Sequence, residues 1–568
     1  MIGRVLSLAS LLGLVVGSAV VAQPVVAQEF DELYEMWPEQ LKINGRVIVD
    51  NGMQDFGPVR PLLERVTAGK QVVCFSGAAA GDQPMLIGEV QAVAGDDGNV
   101  VVVNFRKLPV QLLQAALSTA DVVVAQSVED HREELLKLKP AFASFIRQGR
   151  TLIVDRSLAD MLGEACVSPA AGGDAGGVAA GLDLLPNCLL VCGTSKIGTS
   201  VDELADVTVA RPRTVGIGLE HDSMLVLSGR KMVCYGAGKA IFCLPATDQL
   251  PRRVESIAAR ESPRQPPWET LIDLTEWRRD AIDRTVDRFP PAEPPRPHVE
   301  QGTLLIVGGG AMPPGLMDRF IELAGGIEQA KLVYVPCSEQ DDVGETPRTV
   351  RDWQKRGVKH ATFIHTKDRR RANSDEAFLE PLQDATGIWY GGGRQWNFSD
   401  SYYGTKAHKL MKEVLRRGGV IGGSSAGASI QARYLARATP IGNTRIMAPG
   451  YERGGLGFIG GVAIDQHFSQ RRRQQDMTAL MKVHPQLLGI GLDETTAIEV
   501  RGSVAKVIGR GRTFFYNRRE PAVDGEPDYI ALPTGSIYDL AQRKVLVDTT
   551  EAPKQTTEPK PADDQNSR

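Results

Sequence analysis

Short apolar runs, rich in β-branched residues, recur along the chain, and most are followed by a stretch with helical spacing. In the first part, residues 72–75, 100–103, 122–125 and 152–154 read as strands. Residues 109–117 and 133–148 read as helices, the second broken or kinked at Pro140. Residues 170–181, rich in Gly and Ala, read as a loop, and residues 222–247 as short strands separated by glycines. In the later part, strands are predicted at 304–307, 332–335, 361–364, 388–390, 420–421 and 490–492. Helices are predicted at 317–324, 347–356, 375–382 and 406–417. Strands alternating with helices predict an α/β fold, with a mostly parallel sheet covered by helices on both faces.

The alternation fails over residues 262–300, where eight prolines flank one amphipathic stretch, 271–288. This reads as a linker carrying a helix. A chain of 568 residues also exceeds one ordinary core. The expected division is an N-terminal α/β domain at 28–261, the linker at 262–300, a second domain at 301–548 and a polar, disordered tail at 549–568. Residues 1–27 hold Arg4 and an apolar run ending in small residues. They read as a secretory signal cleaved before Gln23 or Gln28, the alternative being an uncleaved anchor. No later segment is long and apolar enough to span a bilayer. Secretion or periplasmic residence is therefore expected.

Composition narrows the classes. Charged residues make up 24% and hydrophobic ones 42%, and the formal charge of −4 gives no reason to expect nucleic acid as a partner. The seven cysteines lack regular spacing and read as buried thiols rather than a disulfide framework. No His or Cys spacing suggests a metal, and no cofactor is expected.

The two parts also resemble each other. The segment ending in Thr151-Leu152-Ile153-Val154 aligns with the one ending in Val420-Ile421-Gly422-Gly423, and Gly216-Ile217-Gly218-Leu219 with Gly489-Ile490-Gly491-Leu492. From Arg156 to Gly216 is 60 residues, and from Ser425 to Gly489 is 64. This predicts an internal duplication. Arg156 then falls where the later copy has Ser425, making the first domain a degenerate copy without a nucleophile. Two unrelated α/β patterns are the alternative.

The candidate chemistry centres on Gly423-Ser424-Ser425-Ala426-Gly427, a G-x-S-x-G set between a strand and a helix-compatible segment, 428–436. Small residues there permit a sharp turn that exposes Ser425, with the Ala426 amide placed to stabilise an oxyanion. The plainer account is a glycine-rich connection. A serine hydroxyl needs a base, and His467 lies in the polar cluster Asp465-Gln466-His467-Phe468-Ser469-Gln470-Arg471 after an apolar strand. Asp493 and Glu494, just past residues 490–492, are both candidates to orient that base.

These three blocks, in this order, resemble the cyanophycinases, within a serine peptidase family that also contains aspartyl dipeptidase. The resemblance covers about residues 301–548. It implies a class I glutamine-amidotransferase-like fold (flavodoxin-like, three-layered), with Ser425 as nucleophile, His467 as base and Glu494 as its orienting carboxylate. Tyr390-Gly391-Gly392-Gly393-Arg394-Gln395 resembles the family's Gly-Gly-Asp-Gln turn. It implies oxyanion roles for Gly392, Gly393 and Ala426, and a substrate contact for Gln395. The implied pocket further includes Asp465, Gln466, Arg471 and Arg473, arginines suiting carboxylates and Asp465 a guanidinium. The implied substrate is a peptide or cyanophycin-like polymer with β-linked aspartyl amide bonds; a homodimer stays open. Two departures stand out: Arg394 where the family has Asp, and Asp476 where it has Arg. An α/β-hydrolase esterase fits less well, because there the acid precedes the histidine. A binding protein with vestigial catalytic residues is the non-enzymatic alternative.

Overall fold

In a computed structural model, the described residues run from 37 to 550, excepting 39–40, 42, 78–84, 96–98, 105–109, 129–130, 169–176, 194–200, 258–270, 442–444, 522 and 524. The expected signal, the C-terminal tail and most of the Gly/Ala-rich loop lie outside them. Among the described residues no helix is long and apolar enough to cross a membrane.

The β-branched runs pair into four mixed sheets flanked by helices. The large sheet of the first half has Arg46–Asn51 at its centre, parallel to Thr151–Asp155 on one side and antiparallel to Ser223–Ser228 on the other. Val122–Gln126, Gln71–Ser76 and Asn99–Asn104 extend the parallel side. The large sheet of the second half follows the same order and directions. Val299–Val307 is central, parallel to Val420–Ser424 and antiparallel to Thr496–Gly502. Gly387–Tyr390, Lys331–Val335 and His360–Phe363 extend its parallel side. The smaller sheets correspond too: Gly163–Ser168, Leu185–Cys192, Val215–Leu219 and Ala240–Leu244 in one, Ala432–Tyr434, Ile459–Asp465, Leu488–Leu492 and Arg512–Asn517 in the other.

Register makes the comparison residue by residue. Thr151 opposes Arg46 as Val420 opposes Thr303, so Arg156 stands at the position of Ser425. Asn51 likewise corresponds to Gly308. Its side-chain amide donates to the carbonyls of Gly193, Leu219 and Glu220, whereas a Cβ at Gly308 would lie 2.1 Å from the Asp493 carbonyl oxygen, so the second half has no room for a side chain there.

The break expected at Pro140 is present, and the helix expected after Ser425 is not. Residues 133–148 form Arg132–Lys137 and Lys139–Arg147, interrupted at Leu138, because Pro140 cannot continue the hydrogen-bond ladder and sits in the first turn of a new helix. The helix expected over 428–436 is a single turn, Ala426–Ser429. The chain beyond it becomes the strand Ala432–Tyr434, since pairing with Ile459–Asp465 overrides its helical propensity.

Within the proline-flanked region the helix Leu274–Asp283 forms, and it is buried between the halves. Its apolar positions Leu274, Trp277 and Ala281 join the first half's core. Of its charged positions, Glu276, Arg279 and Asp283 meet the second half, while Arg278 and Asp280 bond to Asn187 and Arg253 of the first. Arg279 and Arg230 both pair with the buried Asp400, Arg230 at 2.6 Å, and Arg230 also pairs with Asp273 at 2.8 Å. Arg279 lies over the rings of Trp37 and Tyr451, 4.3 and 5.1 Å from their centroids. The two guanidiniums hold Asp400 well below the usual carboxylate range against the cost of its burial.

Removing one member of such a cluster leaves its partners charged in a dry environment. Asp400→Ala is therefore expected to destabilise the protein by about 3–5 kcal/mol. The check is urea denaturation at neutral pH, where an unchanged midpoint would contradict the reading.

Candidate active site

The strand Val420–Ser424 ends in a turn that only small residues permit. Ser425 sits at φ +57°, ψ −112°, a strained conformation for a non-glycine residue. A Cβ at Gly423 would lie 2.3 Å from the Gly427 carbonyl oxygen, and one at Gly427 would lie 2.2 Å from that of Tyr390. The turn therefore closes tightly on itself and on the neighbouring strand, and the serine side chain is pushed outward.

Ser425 Oγ lies 2.9 Å from His467 Nε2, and His467 Nδ1 lies 2.6 Å from Glu494 Oε1. With a carboxylate accepting from Nδ1–H, Nε2 is left to accept the serine proton. Of the two acidic candidates, Glu494 is the one on the histidine. Asp493 instead accepts from the amides of Ser469 and Arg512 at 3.0 and 3.1 Å, bracing the loops on either side. Burial lowers the His467 pKa below 6.5; the hydrogen bond that Nδ1–H donates to Glu494 opposes this, while Arg471 and Arg473 add to the lowering.

The glycines 308–310 hold the imidazole in place, a role that went unread in the sequence. The His467 amide donates to the Gly308 carbonyl at 2.7 Å. A Cβ at Gly309, which has φ +106°, would come within 2.3 Å of the imidazole, and one at Gly310 within 2.8 Å of Glu494 Cβ. Three glycines ending the central strand, where α/β sheets build their sites, were the available signal.

Gly392 lies beside the serine, a Cβ there being 3.6 Å from Ser425 Cβ. Gly393, at φ +148°, backs onto Cys337, whose thiol donates to the Arg394 carbonyl at 2.9 Å. Ala426 opens the short helix whose leading amides have no partner within the helix. Gln395 is buried and donates through Nε2 to the carbonyl of Arg437. Arg394 is exposed, its guanidinium 5.5 Å from the centroid of the Trp396 ring.

The expected pocket residues divide into two groups. Asp465 does receive guanidinium groups, but the protein's own: Arg473 at 2.6 Å and Arg437 at 3.0 Å. Arg473 is buried and also donates to the Gln466 carbonyl at 2.8 Å. Arg471 is exposed. Gln466 is buried, and its Oε1 has no hydrogen-bond partner among the described residues. Arg437 was not foreseen. It pairs with Asp476 at 2.6 Å, which accounts for the reversed charge at position 476. That reversal was the one hint that a compensating arginine lay nearby.

A serine on a strained strand-to-helix turn, a histidine at its hydroxyl and a carboxylate behind the histidine define the arrangement of a serine hydrolase. Residues 304–508 match the model of Peptidase family S51, so the second half carries an S51 peptidase domain. The cyanophycinase of Geminocystis herdmanii is 27% identical over 216 residues, covering 37% of this chain and 79% of that protein. Those of Trichormus variabilis and Synechococcus elongatus are 24% identical over 249 residues and 27% over 230. The first covers 43% of this chain and 83% of the relative, the second 40% and 70%. The resemblance to cyanophycinases is thus shown over this part of the chain. Among solved structures, a peptidase from an acI-B1 Actinobacterium aligns with a TM-score of 0.32 at 22% identity, covering 42% of this chain and 97% of that one. A putative peptidase E protein from Listeria monocytogenes aligns with a TM-score of 0.26 at 14% identity, covering 37% and 98%.

Two outcomes are expected of this geometry. A base acts unprotonated, so activity rises with pH through the His467 value, and the acid limb of kcat/KM falls below the ordinary 6.5. A limb at or above that value would contradict the burial argument. Gly309→Ala drives a methyl group into the imidazole and is expected to lower kcat by about a hundredfold or more while circular dichroism is unchanged.

Proposed function

We propose that this protein is an exported serine-type peptidase that cleaves β-aspartyl or aspartyl amide bonds in cyanophycin or a related peptide. The observation that carries the reading is the continuous contact from Ser425 Oγ through His467 to Glu494. Ser425 attacks the carbonyl carbon as its proton passes to His467 Nε2. Glu494 holds the imidazole in orientation and stabilises the charge it gains. The tetrahedral oxyanion turns toward the Ala426 amide and the Gly392–Gly393 turn. His467 then returns the proton to the departing amine, leaving an acyl-enzyme on Ser425. Water, deprotonated by the same histidine, resolves it.

Substrate choice follows from which side chains are left uncommitted. With Asp465 and Arg473 bound to each other, the exposed Arg471 and Arg394 are the cations that meet the substrate's carboxylates.

The same reading takes residues 28–261 and 301–548 as two class I glutamine-amidotransferase-like copies. It is supported by their common strand order and by Arg156 at the serine position. Export rests on the apolar run after Arg4.

The test is incubation of the mature protein with insoluble cyanophycin. Release of β-Asp-Arg dipeptide is expected, falling by at least about a thousandfold in Ser425→Ala. Release that persists in that variant would remove Ser425 from the mechanism, and no release by the wild type would remove cyanophycin as the substrate.

A further inference from the structure

Behind the active site, residues 436–441, after the strand Ala432–Tyr434, and residues 445–450 lie side by side as the two arms of a hairpin. Arg437 bridges to Ile446, and the Met447 amide donates to the Ala436 carbonyl. Facing the site, this hairpin presents Arg437. Its carbonyl holds Gln395, and its guanidinium holds Asp465, two residues before His467.

The opposite side of the hairpin rests on the helix Leu274–Asp283. Glu276, itself buried, accepts from Thr439 Oγ1 at 3.1 Å on the outgoing arm and from Arg445 Nη1 at 3.3 Å on the returning arm. A Cβ at Gly450 would lie 2.3 Å from the Glu276 carbonyl oxygen, so the hairpin's end lies directly on the helix backbone. That helix is anchored in the first half's core through Leu274, Trp277 and Ala281. One helical turn beyond Gln395, Asp400 is pinned by Arg230 and Arg279, from the first half and the same helix.

We infer that Glu276 is a positioning residue for substrate binding: the first half serves the peptidase by seating the two arms 436–441 and 445–450, and with them Gln395 and Asp465, the neighbours of Arg394 and Gln466. The inference rests on the reading of Ser425 as a nucleophile. The Ser425, His467 and Glu494 side chains are not held by the hairpin: they are set by the serine turn and by glycines 308–310. Loosening the hairpin therefore weakens substrate binding and leaves the serine reactive.

The experiment measures labelling of Ser425 in the full-length protein by a small fluorophosphonate, with and without β-Asp-Arg dipeptide as protecting ligand. In Glu276→Ala, the unprotected labelling rate is expected to stay within about twofold of wild type, while the half-protecting dipeptide concentration rises about tenfold. Glu276→Gln keeps an acceptor for Thr439 and Arg445 and is expected to restore wild-type protection. Equal protection in Glu276→Ala and wild type would overturn the inference. So would loss of labelling in step with loss of protection, which marks general disruption. A wild-type protein that does not label at all would instead sink the serine-peptidase reading, and this inference with it.

Discussion

The constraint on which the site depends is the backbone at Ser425. A serine held at φ +57° persists only where its surroundings leave no other conformation. Here the Gly423 and Gly427 backbones touch, and Gly427 presses on the strand Gly387–Tyr390. Any side chain at either glycine would push the strands apart. The same contact brings Gly392 beside Ser425, so the proposed nucleophile and one wall of its proposed oxyanion site come from a single packing event. Glycines 308–310 apply the same logic to His467, because the imidazole lies over backbone that carries no side chain.

The second organising feature is electrostatic. The helix Leu274–Asp283 joins the first half's core through its apolar positions and reaches the second half through Glu276, Arg279 and Asp283. Buried charges of this kind add little net stability compared with an apolar contact, but they fix orientation, since a misplaced partner leaves a charge unpaired. Arg279 on Asp400 and Glu276 on Thr439 and Arg445 set how the halves meet. The first half lacks the serine, and by register Asn51 stands where the second half has Gly308. What it contributes is a rigid surface.

Much of this was legible in the sequence, for a physical reason. The serine turn, the histidine cluster and the glutamate are each local arrangements whose backbone geometry demands particular small or polar residues, so residue identity reveals them. The strand order that the halves share was legible because it leaves a similar hydrophobic pattern in each. The contacts of Glu276 and Asp400 were not legible, because pairs between segments more than a hundred residues apart leave no periodic trace. Nor was Arg437, whose partners Asp465 and Asp476 lie 28 and 39 residues away with no spacing that links them. The strand Ala432–Tyr434 read as helix because its propensity is helical and only pairing across the sheet reverses it.

The measurement that bears most directly on the central claim is peptide mapping of the full-length protein after reaction with a fluorophosphonate at neutral pH. The account predicts one adduct per chain, on Ser425, lost in His467→Ala, with none on Ser157 beside the corresponding turn of the first half. An unmodified protein, or an adduct on any other residue, would contradict it.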